Sequence, residues 1–224
     1  MQHINRRSVL ALLGAAPFAG ALATRAGTLS PLSGELPAAK IKSARERIRE
    51  RHFPNLLLTT HDGRKVRFYD DLIKDKIVLL NFMYVKCDGV CPGITANLVK
   101  FQKLVGDRLG RDIFMYSLTL KPEEDTPAAL RRYAEAYKIG KGWSFLTGTP
   151  ADMETLRRKL GFTDPDPKVD AVKSSHIGNV RYGNEALQLW GSCPGMSKAS
   201  WIAESISWID WPQTKPETGK GENK

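Results

Sequence analysis

The feature that most limits what this chain can become is the run Ile77-Val-Leu-Leu-Asn-Phe-Met-Tyr-Val85, which stops abruptly at KCDGVCPG, Lys86 to Gly93. A short, nearly continuous apolar run of this composition reads as a strand covered on both faces, and such a strand needs packed layers above and below it. Pro92 is a natural first residue for a helix, where its missing N–H costs nothing. A buried strand therefore hands over to a helix within a few residues, with Cys91 expected at the N-cap and Cys87 in the loop before it. The two cysteines of this junction can be a redox pair, a structural disulfide, or two ligands of a metal.

The rest of the chain supplies the layers. Leu56–Thr60 and Lys65–Tyr69 flank His61-Asp62-Gly63-Arg64 and read as a hairpin, because Asp-Gly favours a tight turn. After the central run, strands are expected at Ile113–Leu120 and Trp143–Leu146, and helices at Pro92–Val105, Pro127–Tyr137 and Pro150–Leu160. Asp164-Pro-Asp-Pro167 marks a loop. Ile177–Tyr182 and Leu187–Trp190, turning through Gly183-Asn184, form a second hairpin, and Lys198–Ser207 a closing helix. The reading is one α/β domain, compatible with a thioredoxin-like fold: a central mixed sheet flanked by helices, with an N-terminal β-hairpin and a C-terminal β-hairpin plus helix.

That domain spans 53–211 of the 224 residues. Residues 1–23 read as a signal peptide: paired Arg6-Arg7, an uncharged stretch rich in Ala, Gly and Leu, and an Ala21-Leu22-Ala23 exit suggest the twin-arginine route to the periplasm. Gly14, Pro17 and Gly20 make the segment a poor membrane anchor. Residues 24–52 form a linker and charged spacer, and 212–224 a polar tail. Cleavage lowers the net charge from +10 to +8, because Arg6 and Arg7 leave and no acid goes with them. A basic surface suits an anionic membrane surface or an acidic protein partner, although solvated faces are its plainer explanation. An exported chain without a recognition motif is no nucleic-acid binder.

Export sharpens the meaning of the cysteines. Outside the cytoplasm a close pair persists as a disulfide, a catalytic dithiol or a metal site. The third cysteine, Cys193, would be left without a partner. The helix N-terminus and Lys86 both favour thiolate, and Gly89 lets the connection turn tightly. Three residues between the cysteines, rather than two, weigh against ordinary dithiol exchange. Two soft sulfurs instead invite a third ligand. Of the four histidines, His3 falls in the signal peptide, His52 at the domain edge and His61 in the hairpin turn. His176 stands before the closing hairpin, and an imidazole there would complete an S₂N set suited to copper. Without the cysteines it would read as an ordinary loop histidine.

The chain resembles the SCO/SenC family of copper-binding, thioredoxin-fold assembly proteins from about Phe53 to Trp211. The resemblance is carried by FMYVKCDGVCPG (82–93), KPEEDTP (121–127) and His176 ahead of a C-terminal hairpin. It implies copper, as Cu(I) or Cu(II), on Cys87, Cys91 and His176, and a Cys87–Cys91 disulfide in the oxidised state. It also implies a job: delivering copper to, or reducing the thiols of, the dinuclear copper centre of cytochrome c oxidase or of another copper enzyme, with an upstream copper donor. Many relatives have an acid two places after the first cysteine, whereas here Asp88 follows Cys87 directly and Gly89 takes that place.

Other readings stay in view. The pair could serve a periplasmic thiol–disulfide oxidoreductase. A thiol peroxidase has less support, since no activating Thr and Arg stand near Cys87. Cys193 with Met196 offers a second soft pair or a resolving thiol, against the plainer expectation of a free cysteine at a turn. Trp201 and Trp208, seven apart, are expected to pack inward. Glu123, Glu124 and Asp125 are expected to complement the dipole of the following helix.

Overall fold

The computed structural model describes residues 42–172 and 178–210. The expected signal peptide, the start of the linker, His176, Trp211 and the polar tail lie outside the described residues. Helix α1 covers Ala44–His52, followed by strands β1 (Leu57–Thr60), β2 (Lys65–Arg67) and β3 (Ile77–Met83). Then come α2 (Cys91–Val105), β4 (Ile113–Thr119), α3 (Pro127–Ala136), β5 (Trp143–Thr147), α4 (Pro150–Lys159) and the short α5 (Pro167–Asp170). The hairpin β6 (Asn179–Asn184) and β7 (Leu189–Pro194) and helix α6 (Ala199–Ile209) complete the order.

The seven strands form one mixed sheet in the order β2-β1-β5-β4-β3-β6-β7. The run that anchored the sequence reading is its centre: every residue of β3 is buried. It pairs parallel with β4, Ile77 through Met83 against Ile113 through Thr119, and antiparallel with β6, Asn81 against Val180. Asn81, the polar residue in this run, is satisfied internally. It accepts a hydrogen bond from Ser117 Oγ at 2.7 Å, and Ser117 in turn accepts one from Trp143 Nε1 at 3.0 Å. Burial is tolerated because each polar group has a partner.

The structure differs from the pattern reading at several points. The strand expected to reach Tyr69 ends at Arg67, and Phe68–Ile73 winds into a π-helical turn. Side chains take the donors a strand would have used: Asn55 Oδ1 accepts from Tyr69 and Asp70 N–H, and Asp71 accepts from Arg67 N–H at 2.6 Å. The second hairpin turns through Glu185–Gln188 rather than Gly183-Asn184. Gly183 sits opposite Trp190, and its bare backbone makes room for that ring, since a Cβ would fall 2.0 Å from it. Finally, Trp201 and Trp208 do not pack inward. The buried face of α6 is Ala199, Ile202, Ser205 and Ile206, and the two tryptophans are 41% and 60% exposed.

The charged helix α1 starts at a capping box, with Ser43 and Glu46 bonding reciprocally. It is also held to the domain. The buried Glu185 carboxylate accepts from Arg45, from Tyr69 Oη at 2.8 Å and from Asp75 N–H at 2.8 Å. Burial alone would raise the Glu185 pKa. The bonds from Arg45, Asp75 N–H and Tyr69 outweigh it and bring the carboxyl from 4.5 down to about 2. A depressed carboxylate stabilises the fold above its unfolded pKa and loses that contribution as pH falls through its folded value. The variant E185Q should therefore lose about 2–3 kcal/mol near neutral pH. Its stability should also fall less steeply than the wild type's between pH 4.5 and about 2. Denaturant titrations across that range check both, and parallel acid limbs would refute the assignment.

Candidate metal centre

The site grows from the end of β3. Tyr84 is buried, and its carbonyl accepts the Cys87 N–H at 3.3 Å, closing the first turn of the loop. Val90 is the N-cap of α2 in helical geometry with no side-chain cap, and Cys91 is the first helical residue rather than the cap itself. The placement one residue further in points Cys91 into the protein, where it is 1% exposed against 7% for Cys87. The two are not joined in a disulfide.

The two sulfurs are hydrogen-bonded to each other and are made unequal by their surroundings. Burial works against a thiolate at Cys87. The Cys91 side chain, the N–H groups of Cys91 and Gly89 and the Tyr84 hydroxyl donate toward its sulfur and outweigh burial, so its pKa falls below the ordinary value. Burial, and next the neighbouring Cys87, push the Cys91 thiol up to about 12. The Tyr84 phenol also rises to about 12, by burial first and then by its bond and proximity to Cys87. The surroundings thus bias Cys87 toward thiolate and Cys91 toward thiol.

The Lys86 side chain is 78% exposed and faces Glu124 at 3.6 Å. Lys121 holds its ammonium 4.6 Å from the centre of the Tyr84 ring and 3.3 Å from Glu124. The acids of KPEEDTP divide differently from expectation. Asp125 is buried, and its carboxylate accepts from Val85 N–H at 3.2 Å and from Thr119 Oγ1 at 2.5 Å. Thr126, not an acid, caps α3 by accepting from Ala129 N–H. Asp125 thus ties the loop after β4 to the residue two places before Cys87. The sequence signal was present in KPEEDTP, but charge alone did not distinguish a buried tie from a dipole partner.

On the other side of the cysteine motif lies Gly178. A Cβ there would lie 3.0 Å from Ile94 Cδ1 and 3.3 Å from Val90 Cγ2, so this backbone lies directly on the start of α2. Gly195 N–H bonds Gly178 O at 2.7 Å, and Asn97 of α2 donates to Gly195 O at 2.8 Å and Ser197 O at 2.6 Å. Met196, 61% exposed, rests its Sδ where a Gly93 Cβ would be 3.2 Å away. Cys193 is a buried strand residue opposite Val180, its thiol pushed up to about 11 by burial. One side chain of that expected soft pair is sealed in the sheet and the other is at the surface.

Among the described residues no group of three or more His, Cys, Asp or Glu could hold a metal. His52 bonds Lys159 O at the end of α1, and His61 Nδ1 accepts from Phe145 N–H. The donor set that is described, two converging sulfurs of which one favours thiolate, fits a soft metal ion with room for a further ligand. Alkylation of the reduced, metal-free protein should modify Cys87 at lower pH than Cys91. The variant Y84F should move the Cys87 profile to higher pH, because it removes a donor to the thiolate. Peptide mass mapping after iodoacetamide pulses reads both profiles, and superimposed curves for the two cysteines would overturn the inequality.

Comparison with known proteins gives the arrangement its context. A model of the SCO1/SenC family matches residues 45–208. A curated "SCO1 protein homolog" of Bacillus subtilis (strain 168) is 32% identical over 89 residues, 39% of this chain and 44% of that protein. The match thus spans less than half the length of that relative. The structure of Bradyrhizobium japonicum ScoI with copper bound matches with a TM-score of 0.55 at 19% identity, covering 68% of this chain and 96% of that one. BsSco, a member of the Sco family of cytochrome c oxidase assembly proteins with a disulfide switch, matches with a TM-score of 0.56 at 23% identity, covering 69% and 90%. The sheet order, the cysteine-bearing start of α2 and a family match across most of the domain lead to one conclusion: this chain belongs to the SCO1/SenC family.

Proposed function

We propose that the protein is an exported copper-handling assembly factor that carries copper on Cys87, Cys91 and His176. Its client would be a copper enzyme such as cytochrome c oxidase, whose dinuclear centre it supplies with copper or prepares by reducing its thiols. The observation that carries this reading is the pair of mutually hydrogen-bonded thiols at the start of α2, with Gly178 lying on Val90 beside them. Gly178 is two residues after His176 in the sequence, which supports counting that histidine with the two cysteines. Copper in ScoI and oxidase assembly by the Sco family support carrying both properties to this chain.

Copper would be cargo as much as cofactor. A soft ion is suited to two sulfurs and an imidazole, and the unequal thiols define how it is received. Cys87 offers a thiolate first. Cys91 then loses its proton as the metal binds, so loading releases acid and tightens as pH rises. The Arg6-Arg7 segment, read as an export signal, supports a site of work outside the cytoplasm. Among the described residues no helix is long and apolar enough to cross a membrane.

A second reading rests on the lowered Cys87 pKa, which also suits attack on a disulfide. As a reductant the pair would give two electrons and two protons to a client disulfide and close as Cys87–Cys91. The two readings separate in one experiment: an anaerobic copper titration of the signal-free protein against a chelator, beside metal-free reduction of a model disulfide. Binding of one copper per chain is expected, and H176A should weaken Cu(II) binding by roughly a hundredfold while leaving disulfide formation intact. Unchanged affinity in H176A would remove the histidine from the site. Fast metal-free turnover with weak copper binding would make the protein a reductase.

A further inference from the structure

The sheet face turned away from α2 carries a cleft of about 250 Å³. It is bounded by α1, by the end of α4 and by strands β3, β6 and β7. The β3–β6 register sets Leu80 directly opposite Arg181, so the two side chains rise from the same face. Trp190 lies flat on the strand at Gly183, and Phe53 covers it with ring centres 4.5 Å apart. Packed this way, the indole Nε1 is buried and has no hydrogen-bond partner among the described residues. A buried donor without an acceptor is costly, and in a native protein such a group calls for a partner.

The charge of the cleft has one sign. His52, Lys159 and Arg181 line it, and no Asp or Glu does. No salt bridge among the described residues involves any of the three. Arg181 is half-buried, with Nη2 3.3 Å from Gly161 O and the guanidinium 5.7 Å from the centre of the Phe162 ring. Burial holds its pKa below the usual arginine value, the direction expected where no anion offsets the desolvated charge. Elsewhere on α4 the protein does supply acids to a buried guanidinium: Arg157 is held by both Glu154 and Asp170.

We propose that this cleft binds a small organic anion with a flat apolar body, of the aromatic carboxylate class. The carboxylate meets Arg181, with Lys159 and His52 at the rim, and the ring lies over Leu80 against Trp190. A cavity of about 150 Å³ holds benzene, so this one admits a ring and its acid group. The cleft lies across the sheet from the thiols, and its occupancy does not depend on copper.

The test uses the full chain, ¹⁵N-labelled, titrated with 1-naphthoate and separately with uncharged 1-naphthalenemethanol. The reporter is the Trp190 Nε1–H resonance, assigned by its loss in W190F. Naphthoate should move it saturably at millimolar concentrations, and the alcohol should bind roughly tenfold more weakly. R181Q should weaken naphthoate roughly fivefold or more and leave the alcohol unchanged. A resonance that does not move, as it would if a segment of the chain itself fills the cleft, overturns the proposal. Equal binding of acid and alcohol overturns it too. That comparison needs only the wild type, so it decides the matter even if R181Q folds poorly.

Discussion

Everything at the candidate centre follows from the direction of four strands. β3 and β4 are parallel, so both deliver the loops that follow them to one edge of the sheet. β6 runs antiparallel to β3 and begins at that same edge, and β7, antiparallel to β6, ends there. Four segments distant in sequence are thereby gathered: the cysteine loop, the 121–127 loop, the chain at Gly178 and the 193–196 turn. Pairing geometry alone does this, before any side chain is chosen. It is the general reason that sites in open α/β sheets collect beyond the carboxyl ends of parallel strands.

Side chains then divide the labour within that edge. Asp125 fixes Val85 and Thr119 and so sets the origin of the cysteine loop. Tyr84 connects the Cys87 sulfur to Lys121 and, through it, to Glu124. Equal thiols would be a poor receiving site, because two anions in a buried space repel and two neutral thiols bind metal weakly. Lowering one and raising the other biases the pair toward a single thiolate, on Cys87, held by donors.

The sequence made the frame legible because its signals were local. A buried run, a proline after the second cysteine, Asp-Gly in a hairpin and prolines at helix starts each act within a few residues. The failures came where tertiary packing or a hydrogen-bond partner, rather than the local pattern, decided the outcome. Gly183 looked like a turn residue, but it is small because Trp190 lies on it. Asp125 looked like a dipole partner, but it answers to Val85, 40 positions away. Arg45 looked like one charge among many on a spacer, but Glu185 holds it from 140 positions away. The tryptophans of α6 had the right spacing for burial and face outward, because Ile202 and Ile206 already fill the interface. Periodicity says that a face exists; it does not say which one the sheet will cover.

The fastening of α2 has a mechanical consequence. Asn97 ties its first half to the 195–197 turn, Gln102 bonds Gly140 N–H, and Arg108, just past its end, bonds Asp210 at the end of α6. Cys91 is the first residue of that braced helix and therefore behaves as a post. Val85 is pinned as well, but the stretch from Asp88 to Val90 is exposed. A change of spacing between the two sulfurs is therefore expected to fall on Cys87 and the exposed residues beside it rather than on the braced helix. The three residues between the cysteines supply the slack, and a two-residue link would shorten the travel.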